Sequence, residues 1–130
     1  MQLGMVTALP DVLRRYLQAY NAMDLDALLA TVSDDVTFEH LSNTSEPTRT
    51  VGKAELATLA RQSVQVFSSR CQTVVDAVVE PQRVALRVDF EATVAIDLPN
   101  GWKAGQRLEL RGASFFTLRD ALICKIVDLS

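Results

Sequence analysis

Residues 83–97 constrain the fold more than any other stretch of the chain. Val84, Leu86, Val88, Phe90, Ala92, Val94 and Ile96 occupy every second position, and Arg83, Arg87, Asp89, Glu91, Thr93 and Asp97 fall between them. Side chains alternate across a strand, so this pattern predicts a long antiparallel strand with one face buried and one wet. It is not alone. Residues 70–80 read as a strand, Pro81-Gln82 turns the chain, and Leu98-Pro99-Asn100-Gly101 opens a hairpin connection. Residues 106–118 alternate again, with Leu108, Leu110, Gly112, Ser114, Phe116 and Leu118 on the apolar side. Arg119-Asp120 leads into a last strand over 122–129. Strands well beyond the usual ~5–6 residues must twist and curl.

The first half has a different period. From Thr7 to Met23, Leu9, Val12, Leu13, Tyr16, Leu17 and Tyr20 recur at helical spacing, with Thr7 as N-cap, Pro10 in the first turn and Asp11 at the positive end of the dipole. Asp24 caps a second helix over 25–32, with Leu25, Leu28, Leu29 and Val32 on its apolar face. Ser33-Asp34-Asp35 reads as a turn, 36–40 as a strand and 42–50 as a polar loop. Gly52 precedes a third helix over 53–67, striped by Leu56, Leu59, Ala60, Val64 and Phe67. The expected order is ααβαββββ: an α+β fold in which three N-terminal helices close one face of a curled antiparallel or mixed sheet, leaving a hollow end for a small molecule.

Composition narrows the function. The chain has 130 residues, 48% hydrophobic and 22% charged, which suits one globular domain able to bury about two thirds of its unfolded surface. A net charge of −3, with Arg14-Arg15 as the longest basic run, argues against nucleic acid as a partner. Two distant cysteines, Cys71 and Cys124, and a single histidine argue against a zinc site, and the cysteines read as small hydrophobes. No signal peptide and no membrane-length apolar stretch is recognisable, so the expected compartment is the cytoplasm.

Four segments carry a family resemblance: Arg15-Tyr16 in the first helix, Met23-Asp24-Leu25-Asp26-Ala27 between the first two helices, residues 33–40 (Ser-Asp-Asp-Val-Thr-Phe-Glu-His) into the first strand, and Gly52-Lys53-Ala54-Glu55-Leu56 opening the third helix. In this order, followed by four strand-like segments, the chain resembles the nuclear-transport-factor-like superfamily, with its SnoaL-like cyclases and ketosteroid isomerases. The resemblance spans residues 1–130 as one domain and implies the cone-shaped, cystatin-like fold. It also implies a homodimer through the sheet face. The fold alone does not specify function, since it hosts enzymes, ligand binders and transport adaptors. Ketosteroid isomerases use a carboxylate base at the end of the first strand, a tyrosine donor on the first helix and a protonated aspartate on a later strand. These positions fall on His40, Tyr16 and Gly112, so one element is kept, one substituted and one missing. SnoaL-like cyclases take their acid/base group from a later strand.

His40 shares strand parity with Val36 and Phe38 and is the candidate acid/base, since imidazole exchanges protons near neutral pH. Tyr16 is the candidate oxyanion donor, with Tyr20 one turn later as a weaker one. Tyr20, Val36, Phe38, Leu110, Gly112, Ser114 and Phe116 are expected to line the pocket. Glu39 points away from His40. Asp24, Asp34 and Asp35 read as cap and turn residues. Trp102 covers either the pocket mouth or a partner surface, and the last strand leaves open whether Lys125 or Asp128 faces inward. The expected ligand is a small apolar or carbonyl-bearing molecule. The expected activity is cofactor-free and metal-free isomerisation, cyclisation or dehydration beside a carbonyl. A non-catalytic pocket for a small hydrophobic ligand and a protein-interaction module using the exposed sheet are the alternatives. Epoxide hydrolysis fits poorly, because no Asp–Arg–Asp network is recognisable.

Overall fold

A computed structural model describes residues 9–43 and 45–130. The elements run α1 (Asp11–Ala22), α2 (Leu25–Leu29), β1 (Val32–Leu41), β2 (Thr48–Val51), α3 (Lys53–Val66), β3 (Phe67–Val79), β4 (Arg83–Val94), β5 (Arg107–Arg119) and β6 (Leu122–Leu129). The six strands form one sheet in the order β2-β1-β6-β5-β4-β3. The β1–β6 pair is parallel and every other pair is antiparallel. The sheet is therefore mixed, and the helices lie on its apolar face, as the sequence predicts.

Several boundaries differ from that expectation. Residues 48–50, read as loop, form with Val51 a short edge strand, because β1 offers them a ladder from Thr37 to His40. The order is thus ααββαββββ. The second helix stops at Leu29, and Val32 to Asp35 belong to β1. The Ile123 amide donates to the Thr31 carbonyl, and the β1–β6 register shifts between Val32 and Thr37, which absorbs the expected turn at Ser33-Asp34-Asp35 into the strand. Arg119 anchors this bulge by donating to Asp35 at 2.5 Å. The third helix ends at Val66 and passes straight into β3 at Phe67. Ile96 lies beyond the end of β4 and is exposed. The expected N-cap at Thr7 lies outside the described residues.

The helix ends follow local chemistry. Pro10 precedes α1 with ψ 147°, and its carbonyl accepts from Leu13 and Arg14. Met23 ends α1 in the left-handed region, and Asp24 then accepts from the Ala27 amide at 3.1 Å to cap α2. Gly52 enters α3 at φ 90°, a conformation that favours glycine, and donates to the Val36 carbonyl at 2.7 Å.

Val12, Leu13, Tyr16 and Leu17 of α1 meet Val84, Leu86 and Val88 of β4, Phe116 of β5, and Ile123 and Ile126 of β6 in one core. At the edge strand β3, Asn21 closes both open backbone groups of Gln72. It accepts from the amide at 2.8 Å and donates to the carbonyl at 3.2 Å. That clamp ties the C-terminal end of α1 to β3 and blunts the edge.

Candidate functional site

One rung crosses the sheet at the open end of the core. Thr48 of β2 pairs with His40 of β1, His40 with Asp128 of β6, Asp128 with Ser114 of β5, and Ser114 with Leu86 of β4. Lateral partners project to the same face of a pleated sheet. His40, Asp128 and Ser114 therefore stand side by side, facing the helices. Ser114 donates to Asp128 Oδ1 at 2.7 Å, and His40 Nε2 shares a hydrogen bond with Ser130 Oγ at 2.8 Å. Burial pushes the Asp128 carboxyl above the usual carboxylate range, opposed by the Ser114 hydrogen bond and the nearby His40 charge.

Helix α1 supplies the opposite wall. Tyr16 and Tyr20, one turn apart, stack with ring centroids 6.5 Å apart, and Tyr16 meets Phe116 edge-on at 5.5 Å. Among the described residues nothing hydrogen-bonds the Tyr16 hydroxyl, and Tyr16 lines the cavity. Burial holds its pKa well above the ordinary value, reinforced by the Asp128 charge and by Tyr20 and opposed by Arg70. The phenol is therefore a neutral hydrogen-bond donor. Burial raises the Tyr20 phenol too, against the charge of Arg70.

Arg70 reaches the same wall from β3 and is only 6% exposed. Its Nε donates to the Tyr20 carbonyl at 3.0 Å and its Nη1 to Ser63 Oγ at 3.1 Å, while the guanidinium carbon lies 3.7 Å from the Tyr20 ring centroid.

These groups border a cavity of two lobes that share Tyr20, His40 and Asp128. The first, about 250 Å³, lies beneath α3 and is closed by Leu28, Phe38, Leu56 and Leu59. The second, about 230 Å³, runs toward the β4–β5 hairpin past Phe67, Phe90 and Trp102. Trp102 packs on Phe67 with centroids 6.4 Å apart, which places it on the cavity wall. Each lobe is mostly apolar with a few convergent polar groups, the usual make-up of a small-molecule site.

A SnoaL-like domain family model matches residues 13–126. The chain belongs to this SnoaL-like family. Solved structures of the same fold include a candidate polyketide cyclase from a Silicibacter species, 28% identical, with a TM-score of 0.72 over 91% of this chain and 85% of that one. A candidate polyketide cyclase from Xanthomonas campestris pv. campestris is 23% identical, with a TM-score of 0.76 over 92% and 87% of the two chains. A protein with a ketosteroid isomerase-like fold from Catenulispora acidiphila, solved with trimethylamine, is 12% identical, with a TM-score of 0.76 over 93% and 85%. No curated protein matches the chain.

In this SnoaL-like chain the structure brings His40, Tyr16, Tyr20, Phe38, Leu110, Gly112 and Ser114 to the cavity wall. Val36 and Phe116, expected there, are instead packed in the core at 0% and 3% exposure. Val36 has the parity of His40 but lies deeper along β1, and Phe116 is covered by Tyr16. Arg70 is a site residue that the sequence reading does not reach, and the choice it leaves open on the last strand falls to Asp128. Asp128, not Lys125, is the inward residue of β6; Lys125 is exposed. Arg70 could have been noticed as a charged residue sharing parity with Gln72 and Val74 on a strand next to the clearest buried face.

Gly112 explains the missing carboxyl. A Cβ built there would lie 2.6 Å from the Leu129 carbonyl oxygen. The backbone of β6 approaches too closely there for a side chain. Among the described residues no group of three His, Cys, Asp or Glu side chains is placed to hold a metal, and Cys71 and Cys124 are unpaired.

Proposed function

We propose that this chain binds a small carbonyl-bearing molecule and moves a proton beside the carbonyl, as an isomerase, cyclase or dehydratase would. His40 takes the proton from the carbon next to the carbonyl, and the Tyr16 hydroxyl donates to the developing enolate oxygen. His40 then returns the proton at a second position, and the Asp128 carboxylate, beside it on the same rung, steadies the imidazolium in between. The supporting observation is one cavity bordered by His40, Asp128 and a Tyr16 hydroxyl with no hydrogen-bond partner among the described residues. The walls are mostly apolar, and a neutral donor in such surroundings stabilises charge more than it would in solvent. The family's candidate polyketide cyclases support the same class of chemistry.

The test is exchange of the α-protons of 2-tetralone in heavy water, followed by NMR, beside conjugation of 5-androstene-3,17-dione, followed by ultraviolet absorbance. The wild type should accelerate α-exchange over buffer, and His40→Ala should lose roughly 10²-fold or more of that acceleration. Absence of acceleration on both ketones would sink the catalytic reading. A non-catalytic carrier would then be favoured, and the lack of room at Gly112 for a second oxyanion donor supports that alternative.

The outer face of β4 and β5 suits pairing with a second copy of the chain: Phe115 is 45% exposed there among Arg87, Asp89, Glu91, Arg107 and Glu109. Sedimentation of the wild type against Phe115→Glu tests this, and an unchanged mass would sink it.

A further inference from the structure

We propose that Arg70 is an anion anchor, and that the ligand of this cavity carries a carboxylate that seats on it. The inference rests on the pocket reading above and narrows the ligand to an acid, such as an aromatic or keto acid. Its carboxylate would lie at Arg70 and its carbonyl toward Tyr16 and His40.

The argument starts from charge. A buried guanidinium is normally paired with a carboxylate, because taking an unpaired ion out of water is costly. Arg70 is buried, yet among the described residues no Asp or Glu forms an ion pair with it; the observed pairs all involve other cations. Its protein partners are neutral: a carbonyl, a hydroxyl and an aromatic face. Tyr16 and Tyr20 do not supply the missing charge, since burial favours both as neutral phenols.

Geometry gives the direction. Nε and Nη1 are committed to Tyr20 and Ser63, which fixes the guanidinium plane between α1 and α3. Nη2 has no acceptor among the described residues, and Arg70 lines the first lobe. Among the described residues Arg70 is the only Lys or Arg on the wall of the first lobe. A planar, pre-oriented fork with unused donors at the edge of an apolar cavity matches a carboxylate. A purely structural role would consist of these two hydrogen bonds and the contact with the Tyr20 ring, and it leaves Nη2 unused.

The test compares 2-naphthoate with 2-naphthamide, nearly isosteric probes that differ in charge, by isothermal titration calorimetry at pH 7. Wild type is expected to bind the acid about 10-fold or more tighter than the amide, the range of a charge-assisted hydrogen bond. Arg70→Gln, which keeps a neutral donor for the Tyr20 carbonyl, is expected to bring the ratio to about one. Arg70→Met is expected to do the same wherever it folds. An acid preference that survives Arg70→Gln overturns the inference, as does wild type binding the amide as tightly as the acid. In either case the pocket reading stands. Failure of wild type to bind either probe overturns both. The readout is binding, so ketone exchange by His40 succeeds or fails independently of it.

Discussion

His40 and Asp128 are lateral partners on the parallel β1–β6 pair, and Ser114 holds the aspartate from the other side at 2.7 Å. The rung thus joins β1 to the β5–β6 hairpin, which lies far from it in the chain. On that rung burial disfavours the charged form of the Asp128 carboxyl, outweighing the help of Ser114 and His40.

Asp128→Asn should therefore stabilise the protein at neutral pH while lowering α-proton exchange. A carboxyl whose folded pKa is raised favours folding most when it is protonated. Its contribution is full below the unfolded carboxyl value of about 3.9 and is lost as pH rises through the folded pKa. Asparagine keeps an acceptor for Ser114 without the charge. The variant should gain roughly 1–2 kcal/mol over wild type at pH 7. That gain should shrink as pH falls and vanish below about pH 4. Urea melts from pH 3.5 to 8 measure it. A variant less stable than wild type at pH 7 would contradict the burial argument.

Ser114→Ala removes the one hydroxyl that donates to Asp128. A hydrogen bond to a charged group contributes about 1.5–3 kcal/mol and one to a neutral group about 0.5–1.5. The loss on Ser114→Ala should therefore be larger in the wild type than in the Asp128→Asn background. A double-mutant cycle at pH 7 measures the difference, and equal losses in both backgrounds would show that Asp128 is not ionised against Ser114.

Much of this fold is legible in residues 83–118, because long strict alternation leaves no second solution. Tyr16, Phe38 and His40 could be placed on the cavity side from helical and strand parity alone. The misses share a physical cause. Thr48–Val51 is a strand only because β1 offers it a ladder, and its own residues carry no apolar alternation. Val32 fits the spacing of the helix before it, and the bulge after it is imposed by β6. Asp128 lies on a strand whose two faces are similarly apolar, so its direction depends on a parallel register with His40 that neither segment encodes. Arg70 looks like a surface residue until α1 and α3 close over it. Local pattern reveals elements, whereas the site arises where elements meet.

Gly112→Ala tests the close approach of β6. The added methyl would meet the Leu129 carbonyl oxygen at 2.6 Å, and a backbone group cannot rotate aside as a side chain does. The end of β6 must shift, at a cost of about 1–3 kcal/mol. Thermal melts should show the loss, and amide exchange should be fastest to change over residues 126–129. An alanine variant with wild-type stability and protection would mean that the approach is looser than described.

Tyr16→Phe separates packing from chemistry. The ring is held by the core and by Phe116, whereas the hydroxyl has no partner among the described residues. Removing it leaves no protein group unsatisfied, so stability should change by less than about 0.5–1 kcal/mol in either direction. In the proposed reaction the same hydroxyl is the donor to the enolate oxygen, and losing such a donor typically lowers turnover by about 10²–10³-fold. The expected result is an unchanged melt beside a severe fall in α-proton exchange of 2-tetralone, with its binding nearly unchanged. Equal losses of binding and exchange would make Tyr16 a ligand-positioning group. Exchange at the wild-type rate would remove it from the mechanism and move the donor role to Tyr20, the other phenol on the same wall.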